Sequence, residues 1–305
     1  MHTAEVNVRI ETFLAGWLLS VSSVSSVCAD AISFNFVGGA PNNETANGGS
    51  LLASEIVGAP GYGRQNWNNL TTDFDGGGAA GGGAYVNGPN PLVQNSGANL
   101  SLRMWWDSPN TWDLNGGADA TVPTGGNERL MHGYLDSNNS GANSANLYTP
   151  ASQPFFGVAD LPTHYTASGY DVVVYFDGNN AGNDRVAEFW LISNAGNPSD
   201  VSLESDLTPH LFGRDAANVN FSGTFVQVPG TSTTNEGAAT VAGNFLVFED
   251  LTADAFFLRT NEAFGNRAPI NAVQIVSNIP EPSAVGLIVL GLGVLGMLGF
   301  RRQYR

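Results

Sequence analysis

Residues 170–176 read Tyr-Asp-Val-Val-Val-Tyr-Phe, and this stretch decides the fold class. Three consecutive valines favour an extended strand, because β-branched side chains pack well on a pleated surface. Valine and aromatic residues occupy odd and even positions alike, so both faces of the strand are apolar. A strand of this kind belongs inside packed sheets. We therefore predict that 170–176 is a central strand of a β-sandwich.

Other strand-like runs lie on both sides of this stretch, and connections rich in glycine and asparagine separate them. Many short strands joined by polar loops are typical of an antiparallel sandwich or jelly roll. We predict an all-β, antiparallel, jelly-roll-like sandwich over residues 32–278. The further predicted strands are 32–37, 99–106, 186–192, 219–228, 244–249, 255–260 and 270–276.

The order of these features resembles a galactose-binding-like jelly-roll ectodomain. The resemblance rests on residues 32–36, on 65–70, on the strand 170–176 and on the closing segment 268–276. It implies a jelly-roll fold for about 240 residues of the chain.

The composition excludes some functions. The net charge is −16, and the 11 basic residues are all arginine, so binding to the phosphates of a nucleic acid is not expected. The one cysteine, Cys28, falls in the predicted export signal, so the exported part would contain no disulfide or thiolate metal site.

The first 31 residues are typical of a secretory signal peptide. An apolar run over 13–27 precedes Ala29-Asp30-Ala31, which fits an A-x-A cleavage site. We predict removal of residues 1–31, and a strand-like segment begins at Ile32.

The last 27 residues, 279–305, have three features in order. Pro280-Glu281-Pro282 comes first, an uncharged apolar run over about 283–300 follows, and Arg301 and Arg302 come next. Eighteen helical residues span about 27 Å, which is close to the thickness of a bilayer core. We predict a transmembrane helix with its arginines on the cytoplasmic side.

This tail resembles the PEP-CTERM sorting signal, which a membrane-embedded exosortase recognises. The resemblance implies cleavage near Pro280-Glu281-Pro282, with an inner-membrane intermediate. It also implies transfer to the outer surface or extracellular matrix of a Gram-negative bacterium that makes exopolysaccharide.

The best local candidate for a metal site is the loop 177–184. Calcium prefers six to eight oxygen ligands on a flexible turn, and this loop is rich in carboxylates and amides. The predicted calcium ligands are Asp177, Asn179, Asn183 and Asp184. The alternative is an ordinary hairpin turn, which the same residue types favour.

Tryptophans beside amide and carboxyl side chains form a possible glycan site, because sugars stack on flat rings and hydrogen-bond to polar neighbours. The candidate residues are Trp67, Asn68, Trp105 and Trp112. The alternative is that these tryptophans pack in the core.

Local catalytic motifs are missing from the sequence: it has no H-E-x-x-H, no G-x-S-x-G and no phosphate-binding loop. We therefore expect a non-enzymatic surface or matrix protein that contacts exopolysaccharide or surface glycans. Two alternatives stay open: a secreted polysaccharide hydrolase with two converging carboxylates, and a structural surface module without a ligand.

Overall fold

The structure is a computed structural model. It describes residues 29–37, 49–70, 85–86, 92–108, 110–114, 123–137, 154–179, 182, 184–193, 210–217, 219–229, 241–264 and 267–278. Residues 1–28 of the predicted signal peptide and the whole predicted tail lie outside these residues.

The described elements are mostly short strands. Two short helices, α1 (Gly126–Leu130) and α2 (Thr163–Ser168), accompany them. The strands are β1 (Ala31–Phe36), β2 (Asn68–Leu70), β3 (Tyr85–Val86), β4 (Leu92–Val93), β5 (Asn99–Leu100), β6 (Arg103–Asp107), β7 (Asn110–Asp113), β8 (Gly133–Asp136), β9 (Phe155–Ala159), β10 (Tyr170–Tyr175), β11 (Arg185–Ser193), β12 (His210–Asp215), β13 (Phe245–Leu251), β14 (Phe256–Phe264) and β15 (Ala272–Ser277).

Most of these strands form two sheets. One has the order β13-β10-β15-β1-β2, and the other has the order β12-β11-β14-β9-β6-β3. The pairs β4-β5 and β7-β8 form two small ribbons. All of these pairings are antiparallel except that of β1 with β2, which is parallel. The prediction of an all-β, mainly antiparallel fold is confirmed, whereas the jelly-roll topology stays a prediction.

Strand β10 lies between β13 and β15. The two apolar faces of its sequence predicted this central position. Val172 and Val174 point into the space between the two sheets, where they join the main apolar cluster. Val173 and Tyr175 point to the other side of their sheet and join a second cluster. All four side chains are fully buried. This placement accounts for the absence of a polar face on the strand.

The main cluster draws on both sheets. Phe34 and Ile275 come from the five-stranded sheet, and Phe156, Phe189 and Leu258 come from the six-stranded sheet. The rings of Phe34 and Phe156 are 5.0 Å apart between centroids, which joins the sheets directly across the core. Burial of apolar surface between the sheets is the main force that holds them together.

The outer faces of the two sheets are also covered. Segment 49–67 and helix α1 cover the five-stranded sheet, where Trp67 and Leu130 pack with Tyr175. On the six-stranded sheet, Trp105 and Phe257 belong to a third buried cluster. Trp105, one of the predicted glycan residues, is only 6% exposed.

Three details of the strand prediction are wrong. The predicted strand 99–106 is divided between β5 and β6. Residues 219–228 form a loop whose one strand-like contact is a bridge from Gln227 to Phe245. Several strands were not predicted, namely β2, β3, β4, β7, β8, β9 and β12.

Residues 29–31 belong to the fold, although the predicted signal peptide includes them. Ala31 pairs with Val276 in the ladder between β1 and β15. The Asp30 carbonyl accepts a hydrogen bond from the Ser277 amide at 2.8 Å, and the Ala29 carbonyl accepts one from Arg64 at 3.2 Å. Cleavage before Ala29 would keep these contacts, whereas cleavage after Ala31 would remove them.

Among the described residues, none of the helices is long and apolar enough to cross a bilayer. The predicted span at about 283–300 lies outside them.

Gly213 provides a test of the packing between the sheets. A Cβ atom at this position would lie 2.4 Å from the ring of Phe176, which is itself buried in the core. We expect Gly213→Ala to cost about 1–3 kcal/mol of stability, because overpacking displaces neighbours in a dense core. Thermal melting should show a lower midpoint. In the control Gly63→Ala, the nearest atom is a terminal methyl of Ile56 at 3.3 Å, and little change is expected. Equal melting midpoints for the two variants would contradict this packing.

Candidate functional site

The strand register brings five chain segments to one end of the sandwich. Arg185, at the start of β11, lies opposite Asp215, at the end of β12. Glu262 of β14 lies opposite Ala187 on the other side of β11. In the second sheet, β10 ends and β15 begins at the pair Tyr175 and Ala272. Asp177 follows β10 and Arg267 precedes β15, so both residues lie at this end.

The core becomes polar at this end. Along β11, every second residue, Leu191, Phe189 and Ala187, belongs to the main cluster. Arg185 is the next residue on the same face of this strand. Leu211, Gly213 and Asp215 follow the same alternation along β12. Since successive even or odd positions share one face of a strand, the charged groups continue the inward-facing rows. A layer of charged side chains therefore closes the apolar core.

An open pocket of about 230 Å³ lies beside this layer. Its wall includes Asn220, Phe221 and Thr224 from the loop after β12, and its floor includes Asp177 and Asp215. Asn244 holds the loop in place: its Oδ1 accepts a hydrogen bond from the Val226 amide and its Nδ2 donates to the Thr224 carbonyl, both at 2.9 Å. The pocket thus has a braced wall and an acidic floor.

Asp177 and Asp215 are adjacent and almost completely buried, with exposed fractions of 3% and 5%. The Gly178 amide, next to Asp177, donates a hydrogen bond to Asp215 Oδ2 at 3.1 Å. The Asp177 amide donates to Asn271 Oδ1 at 2.6 Å, and the Asn271 amide nitrogen donates to the Met131 and Gly133 carbonyls. These bonds fix the backbone of residues 177–178 against the rest of the fold.

Both carboxyl groups bind protons more tightly than usual. Burial raises the pKa of Asp177 well above its ordinary value, and the neighbouring Asp215 carboxylate raises it further. Burial also raises the pKa of Asp215 to about 7, although the Gly178 amide and Arg185 favour its charged form. Two carboxylates in one desolvated place repel each other, so the site favours a shared proton or a bound cation.

Asp136 is a further buried carboxyl group at this end of the sandwich. Asp136 is fully buried and forms an ion pair with Arg267. Burial raises the pKa of Asp136 to about 7, although Arg267 and Arg185 oppose the shift. Burial also raises the pKa of Tyr134, whose Oη accepts a hydrogen bond from the Asn179 amide at 3.1 Å. Tyr134 therefore joins this group to the loop that follows Asp177.

Several buried polar atoms at this end of the sandwich make no hydrogen bond within the described part of the chain. They are Oδ1 of Asp177, Oδ1 of Asp136, Oε1 of Glu262, and Nε and Nη1 of Arg185. Buried polar groups in folded proteins are normally satisfied by protein, water or a ligand. Their concentration at this end of the sandwich, where Asp177 also lines the pocket, marks it as the candidate site.

Three of the predicted calcium ligands lie in the described residues, and each has different contacts. Asp177 lies on the pocket floor, and Asn179 bonds to Tyr134 through its backbone amide. Asp184 forms an ion pair with Arg214 at 2.6 Å, and it also accepts a hydrogen bond from the Ala217 amide at 3.0 Å. Asn183 lies outside the described residues. The four-residue calcium ligand set stays a prediction, and the carboxylate that acts on Asp177 is Asp215.

The predicted glycan residues do not form a single surface. Trp67 is 5% exposed, and its Nε1 donates to the Arg64 carbonyl at 3.0 Å. Asn68 bonds the Ser33 and Val93 carbonyls through Nδ2. Trp105 is buried in the third cluster. In this conformation, neither Trp67 nor Trp105 offers a free ring face to a sugar.

Trp112 differs from the other two, because its side chain is half-buried. It lies on β7 opposite Tyr134 of β8. The guanidinium of Arg267 lies 5.9 Å from its ring centroid. Trp112 is therefore the predicted glycan residue that the geometry keeps accessible, and it lies beside the buried charge cluster.

Sequence reasoning missed Asp215, Asp136, Arg185 and Arg267 as parts of one site. A weak local signal existed for Asp215, because a carboxylate ends the apolar run His210–Asp215 just as Asp177 follows 170–176. The pairing of β11 with β12 decides the proximity of these residues, and no local pattern specifies it.

Comparison with known protein families gives a match at the C-terminal end of the chain. Residues 278–303 match the PEP-CTERM protein-sorting motif, as the three features of the tail predict. The motif indicates an exported protein that an exosortase sorts through a membrane-anchored intermediate in a Gram-negative bacterium. No curated protein and no solved structure matches the chain.

The pKa of Asp136 predicts how stability depends on pH. Between its ordinary value of 3.8 and about 7, the folded state keeps a proton that the unfolded state has released. Stability should therefore fall as the pH rises from about 4 to about 7. Asp177 and Asp215 act in the same direction.

We expect Asp136→Asn to reduce this slope, measured as the thermal midpoint of the detergent-solubilised chain between pH 5 and pH 8 with a chelator present. The exposed residue Asp254 provides the control, and Asp254→Asn should keep the wild-type slope. A wild-type midpoint that rises between pH 5 and pH 7 would be the opposite of the expected result.

Proposed function

We propose that the protein is a non-enzymatic component of the cell surface or extracellular matrix that associates with exopolysaccharide. The sorting motif at residues 278–303 carries this proposal, because exosortase processing delivers a protein out of the cell. The net charge of −16 and the absence of lysine are consistent with an exported, soluble domain. The exosortase is then the processing partner, and the membrane helix serves only before cleavage.

The form of the pocket supports a role without catalysis. Its volume of about 230 Å³ is below the usual range of about 300–1,000 Å³ for small-molecule sites. Asp177 and Asp215 are buried at its floor, and no tryptophan is among the residues that line it in the described part of the chain. A polysaccharide chain would need a longer groove in which the sugar reaches both carboxylates.

Trp112 supports the glycan part of the proposal. Its ring is half-buried, and Arg267 lies over it. An aromatic ring of this kind can stack on the C–H face of a sugar, while a guanidinium can hydrogen-bond to hydroxyl or carboxylate groups. Because Arg267 also forms an ion pair with Asp136, this pair of ring and guanidinium supports contact with sugar hydroxyl groups and gives no preference for acidic exopolysaccharides.

One observation favours the second candidate, a polysaccharide hydrolase. Two adjacent carboxyl groups with raised pKa values are the groups that glycoside hydrolysis uses. The two candidates differ in a simple product measurement, because a hydrolase releases new reducing ends and a binding protein does not.

The sorting proposal can be tested in an exosortase-encoding host. We expect the chain to lose its 279–305 tail in the wild-type strain and to accumulate uncleaved in the inner membrane of an exosortase deletion strain. Replacing Pro280-Glu281-Pro282 with three alanines should have the same effect as the deletion. Intact-mass measurement of the fractionated protein distinguishes the forms. Normal cleavage without the exosortase would contradict the proposal.

The glycan proposal can be tested by co-sedimentation with exopolysaccharide from the same host. We expect Trp112→Ala to weaken retention by about tenfold, since a stacked ring contributes roughly 0.5–1.5 kcal/mol and Arg267 loses its support. Trp190 is a matched control, because it is also half-buried and has Arg259 at 5.2 Å from its ring centroid. Trp190→Ala should bind normally. Binding of both variants at the wild-type level would contradict a contact through Trp112, and absence of binding by the wild type would favour a module without a ligand. New reducing ends that the wild type releases and Asp215→Asn does not would favour the hydrolase.

A further inference from the structure

The polar side chains that line the pocket beside the charged layer all carry oxygen donors, next to apolar residues such as Val219 and Phe221. Its lining includes the carboxylates of Asp177 and Asp215, the amide of Asn220, and the hydroxyls of Ser222 and Thr224. Neither histidine nor cysteine is among the lining residues in the described part of the chain. Hard divalent cations prefer oxygen ligands of this kind, whereas zinc and copper prefer nitrogen and sulfur.

The charge on the pocket floor is not balanced. Asp177 and Asp215 together have two negative charges when ionised, and Arg185, opposite Asp215 on β11, is the cationic side chain that favours the charged form of Asp215. Arg185 acts on Asp136 and Tyr134 as well as on Asp215. Its Nε and Nη1 make no hydrogen bond within the described residues. One shared guanidinium therefore leaves a net negative charge in a desolvated place.

Asp177 adds an observation that is independent of this charge. The residue lines the pocket and has an exposed fraction of only 3%. Its Oδ1 has no hydrogen-bond donor among the described residues. A carboxylate oxygen can only accept, so it needs either a proton donor or a cation. The pocket is the space from which that partner would come.

We infer that Asp177 and Asp215 bind a divalent cation, calcium in preference to magnesium, at the floor of the pocket. Neutral oxygens of the loop 220–224 and water molecules would complete the coordination. Calcium fits better because it accepts irregular sets of six to eight oxygens, whereas magnesium demands a near-ideal octahedron. The site differs from the predicted loop site, because Asp215 comes from another strand and Asp184 is held by Arg214.

The affinity should be modest. Within the described residues, no group of three or more histidine, cysteine, aspartate or glutamate side chains could hold a metal. Two carboxylates with neutral oxygens therefore have to suffice. Calcium sites of extracellular modules bind at about 10⁻⁴ to 10⁻³ M, and this site belongs in that range. Such a site is filled only where calcium is abundant, as it is outside the cell.

The test uses the full chain in detergent, with calcium chloride or magnesium chloride as the probe. We expect calcium at 5 mM to raise the thermal midpoint by several degrees relative to EDTA, and magnesium to have a much smaller effect. Isothermal titration should give one calcium ion per chain. Asp215→Asn and Asp177→Asn should abolish both responses.

The melting midpoints of the same two variants in EDTA show whether the loss of the calcium response comes from a lost ligand or from unfolding. In EDTA, each should melt at or above the wild-type midpoint, because removing one buried carboxylate relieves repulsion. A variant that melts higher in EDTA yet ignores calcium is folded and has lost the ligand. The exposed residue Asp254 is the matched control, and Asp254→Asn should respond as the wild type does.

Two results would overturn the inference. The first is a wild-type midpoint that is the same in calcium and in EDTA, which would mean that the two carboxyl groups share a proton instead. The second is a calcium response that Asp184→Asn abolishes while Asp215→Asn preserves it, which would place the ion in the loop 177–184. Neither result bears on exosortase sorting or on glycan binding through Trp112.

Discussion

The burial of β10 on both faces is the constraint on which the rest of the structure depends. Val172 and Val174 require the six-stranded sheet on one side, while Val173 and Tyr175 require the segment 49–67 and helix α1 on the other. A shift of one residue in its register would exchange the two sets of side chains. The pairing with β13 and β15 is therefore fixed, and it places Asp177 at the polar end of the sandwich.

At the polar end of the sandwich, burial costs free energy instead of stabilising the fold. Apolar burial stabilises the sandwich along most of its length, whereas Asp177 and Asp136 are buried and each keeps one carboxylate oxygen without a hydrogen bond in the described part of the chain. Proteins keep such costly groups where they serve a function, and perturbed carboxyl groups in a pocket are a physical sign of one. A cation at Asp177 and Asp215 would offset the repulsion. Stability would then depend on the ionic composition of the medium into which the protein is sorted.

The sequence predicted the features that local patterns determine. β10, β11, β14 and β15 follow from apolar runs, and the sorting motif follows from the order of Pro280-Glu281-Pro282, apolar run and arginines. It could not predict the site, because Asp177 and Asp215 meet only through the pairing of β11 with β12 and the packing of the two sheets. At Trp67, asparagine neighbours resemble a sugar site in sequence, while in the structure Asn68 bonds backbone carbonyls and the ring packs on Tyr175.

The most direct measurement is a crystal structure of the chain grown with calcium. The account predicts a cation on the pocket floor, with oxygens of Asp177 and Asp215 at about 2.3–2.6 Å from it. The same density map would verify the registers of β10 and β12 that bring the two carboxylates together. A guanidinium of Arg185 that forms a two-pronged ion pair with Asp215 and closes the floor to any cation would contradict it.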